Sequence, residues 1–286
     1  MTNFPALSPA ERDEWQVVGA FDELPIGGTS RTRLFGRPIS VARQHDGVRV
    51  ETADGEPLPA ILRYGYVWTS LGEPKRDLFP LPEYAESDRR NLNAATIGVN
   101  VSAPRAIENF LDMAHFPYVH TGILGEEPHT EVKDYDVDLS LERDEVLATG
   151  CLFYQPMAAA SAEGGLDVEY IYRVPHPFCS VLYKSSPSAP ERKDVIALFL
   201  QPLDEEHVRA NMLLSLIDDE SSDARLRNFQ QTIFAQDKPI LENQIPKCLP
   251  LDPRAETPIR ADKSAITYRR WLQAKGITYG TIPARI

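Results

Sequence analysis

No cysteine occurs before Cys151, and the whole chain holds three: Cys151, Cys179 and Cys248. So few thiols, so widely spaced, exclude a disulfide framework. A reducing cytoplasm is the expected compartment. Long apolar runs are missing as well. No stretch reaches the roughly 18 residues of a membrane helix, and the N-terminus has no basic segment followed by an apolar one, so no signal peptide is expected. Positive charge is scarce: 30 Lys and Arg stand against 42 Asp and Glu, for a formal net charge of −12. Nucleic acid is therefore not an expected partner, because phosphate binding depends on Lys and Arg. The signatures H-E-x-x-H and G-x-S-x-G are absent, which lowers the case for a hydrolase or a cupin-like metalloenzyme that needs no electrons. Internal repeats and low-complexity tracts are absent too.

What is present is a succession of short strand patterns broken by turns. Thr29 to Leu34 and Arg37 to Ala42 flank Phe35-Gly36. Val48 to Thr52 follows the Asp46-Gly47 turn signal, and Tyr64 to Leu71 is a further strand. A polar connection over 73–94 contains the extended Phe79-Pro80-Leu81-Pro82 segment. Ala95 to Val101 is expected as a strand leading into a helix that starts near Pro104. After a loop from Gly122 to Thr130 come strand patterns at Glu131 to Leu139, Glu145 to Phe153, Leu166 to Val174, Cys179 to Lys184, Val195 to Gln201 and Arg209 to Ile217. Gly164-Gly165 and the Pro187 to Pro190 loop separate some of them. Strands in series, without alternating helices, indicate antiparallel pairing and an α+β class. A chain of 286 residues accommodates one large domain or two smaller ones.

The stretch from Glu108 to His120 stands out. Ile107, Leu111 and Ala114 have helical spacing and should face a core. Asn109, Asp112, His115 and His120 interrupt that apolar face. A carboxylate beside two imidazoles is costly to bury without compensation, and a divalent metal compensates well. On an ideal helix, residues five apart splay by about 140°. Pro117 lies between the two histidines, and a kink or local widening there brings both rings toward one ion. On these residues alone two readings stay open: a metal site, and two hydrogen-bonded histidines near a helix end. His129, in a loop, reads as solvated. A second helix, Ser222 to Gln244, carries Leu226, Phe229, Ile233, Ile240 and Leu241 on one face, with Asp237 among them. An Arg partner, or an end frayed by Pro239, accounts for Asp237 equally well at this level. After a Pro-rich link from Pro246 to Pro258, a last helix runs from Asp262, as N-cap, to Ala274, with Gly276 at its stop. Ile266 and Trp271 are expected to pack, and Arg269 and Arg270 to form a solvated basic face.

Asn109, Asp112, His115 and His120 match N-x-x-D-x-x-H-x-x-x-x-H, and here the chain resembles the Rieske-type non-haem iron oxygenases from about residue 95 to its end. The resemblance implies a helix-grip catalytic domain, an antiparallel sheet around a long C-terminal helix. It also implies that His115 and His120 bind a mononuclear Fe(II), with Asp237 as third ligand in a facial triad. Asp112 would link iron to a Rieske cluster in a neighbouring subunit, and Asn109 would support the shell around the ligands. Trp15, Leu34 to Pro38, Asp46-Gly47 and Tyr66 to Trp68 look like the outer part of a Rieske domain. A [2Fe–2S] Rieske cluster needs two Cys and two His. With no cysteine before residue 151, and His45 the only other histidine before that point besides His115, His120 and His129, residues 1–72 cannot hold one. The resemblance thus implies two domains, a small β domain over 1–72 that is a cluster-less remnant and a catalytic domain over 73–286.

Within that family, Ile107 to Asp112, Gly125 to Thr130 and Tyr268 to Leu272 look like the branch that demethylates methylxanthines, with N7 the implied position. The resemblance further implies an oxygenase subunit using O2 and fed by a Rieske-bearing reductase that also supplies NAD(P)H and flavin chemistry. A structural or paralogous oxygenase subunit and a trimer-based oligomer are other implied partners. O-demethylation or hydroxylation of another small aromatic is the neighbouring alternative; a scaffold subunit without catalysis is the alternative from another class. Gln230 lies seven residues before Asp237, within about 20° of its direction and about 10.5 Å along the axis. It is expected to meet the substrate, a donor and acceptor suited to a neutral heterocycle. A Gln bonded to a nearby backbone carbonyl is the other reading.

Overall fold

The computed structural model describes residues 4–45, 47–162, 164–186, 189–218 and 220–284. Asp46 and Pro187, both read above as turn signals, lie outside the described residues. The N-terminal strands are β1 (Gln16–Ala20), β2 (Thr29–Leu34), β3 (Arg37–Gln44), β4 (Gly47–Thr52), β5 (Pro57–Leu58), β6 (Ala60–Arg63) and β7 (Tyr66–Thr69). They form one sheet in the order β1-β7-β6 and another in the order β2-β3-β4-β5.

The remaining strands are β8 (Arg90–Val99), β9 (Asp136–Ser140), β10 (Glu145–Gln155), β11 (Leu166–His176), β12 (Cys179–Ser186), β13 (Ala189–Asp204) and β14 (His207–Leu216). They build one seven-stranded antiparallel sheet in the order β8-β14-β13-β12-β11-β10-β9. Successive side chains on a strand point to opposite faces, and both faces of this sheet are covered. Val181, Ala197 and Phe199 join the cluster containing Tyr66, Trp68 and Leu81. Leu182, Leu198 and Leu200 point the other way, into the core shared with the helices. The β1-β7-β6 sheet thus backs the large sheet, with Trp68 and Phe199 ring centroids 5.0 Å apart.

The helices that matter to function are α1 (Ala103–Leu111), α2 (Phe116–Val119), α3 (Asp223–Glu242) and α4 (Lys263–Lys275). Helix α3 starts at the Ser222 cap, whose hydroxyl accepts from the Arg225 N–H. It lies along the sheet edge formed by β8. Arg227, Gln231 and Lys238 donate to the backbone carbonyls of Asn93, Ala94 and Gly98 at 3.0, 2.7 and 2.9 Å. An edge strand leaves such carbonyls free, and the helix occupies them. The helix continues past Pro239 to Glu242. This is the α+β, helix-grip arrangement expected from the sequence.

Several boundaries differ from the sequence reading. Strand β8 begins at Arg90 rather than Ala95, because pairing with β14 extends to Arg90 opposite Leu216. Strand β9 starts only at Asp136: the preceding residues turn away, and the Tyr135 hydroxyl donates to the Ala261 carbonyl at 2.6 Å. The two histidines do not share one kinked helix. Helix α1 stops at Leu111, and α2 is a separate turn. Nor is the basic face of α4 wholly solvated. Arg269 is buried and reaches Glu108 at 2.6 Å and Glu256 more closely still. Arg105, also buried, joins the same carboxylates at 3.0 and 2.7 Å. The network ties α1 to α4 and to the link between α3 and α4.

Candidate metal centre and adjoining cavity

The local chain explains how two histidines five apart come together. Asp112 ends α1: its Oδ1 accepts the Ala114 N–H at 2.7 Å, a side-chain bond that competes with helix continuation. The Leu111 carbonyl, left open at the helix end, accepts from the Ser264 hydroxyl at 3.3 Å. The chain then restarts as α2, with His115 at its N-cap, Pro117 in its first turn and His120 at its C-cap. Proline suits a first turn, where its missing N–H is not needed, so Pro117 supports α2 instead of bending a longer helix. The loop after α2 presses close. A Cβ on Gly125 would lie 2.8 Å from the Pro117 nitrogen and 3.0 Å from the Phe116 carbonyl carbon, so only glycine fits there.

Helix α3 supplies the third donor. Asp237 Oδ1 lies 3.3 Å from His115 Nε2 and 3.1 Å from His120 Nε2, and the two Nε2 atoms are 3.1 Å apart. The opposite ring nitrogens are held from outside. His115 Nδ1 bonds Asp112 Oδ2 at 2.9 Å, and His120 Nδ1 bonds Gln236 Oε1 at 2.9 Å. Both acceptors place a proton on Nδ1, which turns the Nε2 lone pairs inward. Asp237 Oδ1 is buried with no aligned hydrogen-bond donor. A carboxylate oxygen and two imidazole nitrogens aimed at one point, with an orphaned oxygen among them, fit a divalent cation. Among the described residues, His115, His120 and Asp237 are the grouping of His, Cys, Asp and Glu able to hold one.

The electrostatics agree. Burial alone would lower the His115 imidazole, but the carboxylates of Asp112 and Asp237 on either side hold it at about 9. Burial alone would raise the Asp237 carboxyl, but His115 and His120 hold it below the usual carboxylate range. A divalent cation placed there would compete with a proton for the same cluster. The cysteines offer no second centre. Burial pushes the Cys151 thiol up to about 12 and also raises the Cys179 thiol well above the usual thiol range, and all three are free. His129 is exposed and packs on Tyr154, 4.4 Å between ring centroids.

Two concavities meet at the triad. On the sheet side, a cavity bounded by Phe110, Phe116, Tyr170, Tyr172, Met212 and Phe229 reaches His115, His120 and Asp237. Gln230 lines it, is 8% exposed, and makes no side-chain hydrogen bond among the described residues. On the outer side, a groove between α1 and α4 runs along Arg105, Glu108, Asp112, Glu256 and Arg269 to His115. Asn109 lines both; its side chain makes no hydrogen bond among the described residues. Gln236 was missed from sequence: its bond joins residues 116 positions apart and leaves no local pattern. Lys184, a buried cation in the cavity wall, was missed for the same reason.

Residues 99–276 match the family model for the vanillate O-demethylase oxygenase C-terminal domain. The chain is 46% identical over 270 residues to a probable methylxanthine N7-demethylase, NdmC, of a Pseudomonas species (strain TJI-51), covering 94% of this chain and 96% of that one. The chain belongs to the Rieske-type non-haem iron oxygenases. The oxygenase fold is shared with solved structures at low identity. With Pseudomonas putida CBB5 NdmA bound to caffeine the TM-score is 0.78 at 19% identity, covering 92% of this chain and 90% of that one. With dicamba monooxygenase bound to dicamba it is 0.74 at 16%, covering 94% and 98%. As a member of the family this oxygenase is an oxidoreductase of the monooxygenase kind. It lacks cysteines for a cluster in its first 150 residues. Among the described residues no helix is long and apolar enough to cross a membrane.

Proposed function

We propose that this chain is the oxygenase subunit of a methylxanthine N-demethylase acting at N7. The observation that carries the reading is the placement of the His115–His120–Asp237 cluster at one end of an aromatic cavity, in a chain 46% identical to a probable N7-demethylase. His115, His120 and Asp237 hold one Fe(II), which when bound supplies O2 activation. With two electrons and two protons, one oxygen atom enters a C–H bond of the N-methyl group and the other leaves as water. The N–CH2OH product then breaks its C–N bond, releasing formaldehyde and the N–H heterocycle.

The chain's own residues bind, orient and connect. Phe110, Phe116 and Phe229 exclude water around a flat substrate, and the free Gln230 amide fixes its orientation. Asn109 holds the wall between cavity and groove beside the ligands. Asp112 carries electrons inward: it touches His115 on one side and opens on the outer groove on the other. Because residues 1–72 cannot hold a Rieske cluster, that segment is a cluster-less remnant domain before the catalytic domain of 73–286. The electrons come from a partner reductase carrying NAD(P)H, flavin and Rieske chemistry, and the functional oligomer is trimer-based, with a structural or paralogous oxygenase subunit as a further partner.

The test is turnover of 7-methylxanthine with NADH and a Rieske-bearing reductase, reading formaldehyde against demethylated product. Equal amounts are expected. No formaldehyde from methylxanthines, with release from a methoxybenzoate instead, would favour the O-demethylase reading; no turnover and no iron would favour a scaffold. Asp112→Asn should keep its iron and lose activity by about 10- to 100-fold, the usual effect of changing a group that touches a metal ligand.

A further inference from the structure

A second chamber adjoins the cavity beside the triad, between the sheet and the first turns of α3. It is bounded by Ala158, Ser186, Asp194 and Leu226, and Lys184, Ile196, Phe229 and Gln230 line both parts. Among the described residues that line either part, Lys184 is the only Lys or Arg. It is 6% exposed, rare for a lysine without a carboxylate partner. Its neighbours across the sheet are Tyr170 on β11 and Asp194 on β13. The ammonium lies 5.9 Å from the Tyr170 ring centre and donates to the Ala158 carbonyl. Among the described residues it forms no ion pair, although Asp194 sits beside it in register. Burial pulls the ammonium down to about 8, with Asp194 acting in the opposite sense.

An ammonium has three donors, and one is used. A buried, underpaired cation is costly unless something completes it. Ser186 and Asp194 share its chamber, yet among the described residues only the Ala158 carbonyl accepts from it, which leaves donors for a molecule in the cavity. We propose that Lys184 recognises the substrate edge opposite the methyl group that is removed, and that this edge is an acidic imide, a ring N–H flanked by carbonyls. This inference rests on the N7-demethylase reading. In a xanthine the carbonyl-bearing six-membered ring lies across the bicycle from N7. With N7 toward the triad, that ring points down the cavity toward Lys184 and Gln230. An imide N–H is acidic, and an ammonium stabilises both its carbonyl oxygen and its conjugate base through a charge-assisted bond. A methyl group on that nitrogen abolishes the acid and sets an apolar group against the cation. Lys184 therefore selects for substrates unmethylated at the far ring.

The experiment is calorimetric binding of 7-methylxanthine and of 1,3,7-trimethylxanthine to iron-loaded protein, without reductase, in wild type, Lys184→Met and Lys184→Gln. Iron content and melting temperature confirm folding, and Lys184→Gln keeps a donor for the Ala158 carbonyl if Lys184→Met does not fold. Wild type is expected to favour 7-methylxanthine by about 10- to 100-fold, the worth of one hydrogen bond to a charged group. Either variant should lose that preference by weakening 7-methylxanthine and leaving the trimethyl compound unchanged or tighter. A preference that survives in the folded variants, or is absent from wild type, overturns the role of Lys184 and leaves the N7-demethylase reading standing. If wild type binds neither compound, that reading fails and the inference falls with it.

Discussion

Gln236→Leu tests how the triad is built. Gln236 Oε1 is the acceptor, at 2.9 Å, for His120 Nδ1, and His120 is 1% exposed. Leucine fills much of the same space and accepts nothing. The substitution has two separable effects. In the metal-free protein a buried N–H loses its partner, which costs about 1–3 kcal/mol and lowers the melting temperature by several degrees in a chain of this size. In the metal-bound protein the ring loses the bond that fixes its tautomer and orientation, so metal affinity falls by about 10- to 100-fold. Thermal unfolding of the metal-free protein reads the first effect, and anaerobic competition with a chelator reads the second. Gln236→Glu supplies a stronger, charged acceptor and should hold the metal at least as tightly as wild type. Unchanged affinity in folded Gln236→Leu would refute the claim that this bond aims His120 at the metal.

Two further outcomes are expected. Gln230→Leu should keep fold and iron but weaken methylxanthine binding or shift which methyl is removed, checked by calorimetry and product analysis; unchanged affinity and regioselectivity would remove Gln230 from the substrate site. His176, 4% exposed, accepts the Phe178 N–H on Nδ1 and is pulled by burial to about 3. Its folded pKa lies below the unfolded value of roughly 6.5, so its neutral form adds stability that is fully present above that value and is lost as pH falls toward 3. His176→Gln, measured by denaturant unfolding between pH 7 and 4, should show a shallower acid loss than wild type.

The regular parts of this fold were open to sequence reading because one rule governs them. Val181, Ala197 and Phe199 alternate with Leu182, Leu198 and Leu200 across the sheet, and that period is written along the chain. The same holds for Asp237, which shares a helical face with Ile233 and Gln230. The break between α1 and α2 went unread because apolar spacing over Ile107, Leu111 and Ala114 suggested one helix. The Asp112 side chain, bonded to the Ala114 N–H, decided otherwise. Arg269 was read as solvated because its partners, Glu108 and Glu256, lie on other elements; a lone basic residue on a helix carries no sign of the carboxylates that tertiary packing brings to it. Gln236 and Lys184 belong to the same class. The His115–His120–Asp237 cluster was read through a motif, and geometry adds what the motif lacks, the acceptors that hold each ring.

Metal and acid-labile sulfide analysis of the purified chain, reconstituted anaerobically with Fe(II), tests the central claim most directly. One iron per chain and no sulfide is the expected result if His115, His120 and Asp237 hold the metal as proposed, since residues 1–72 lack the ligands of a cluster. Stoichiometric sulfide, or a chain that takes up no iron while fully folded, would contradict the account.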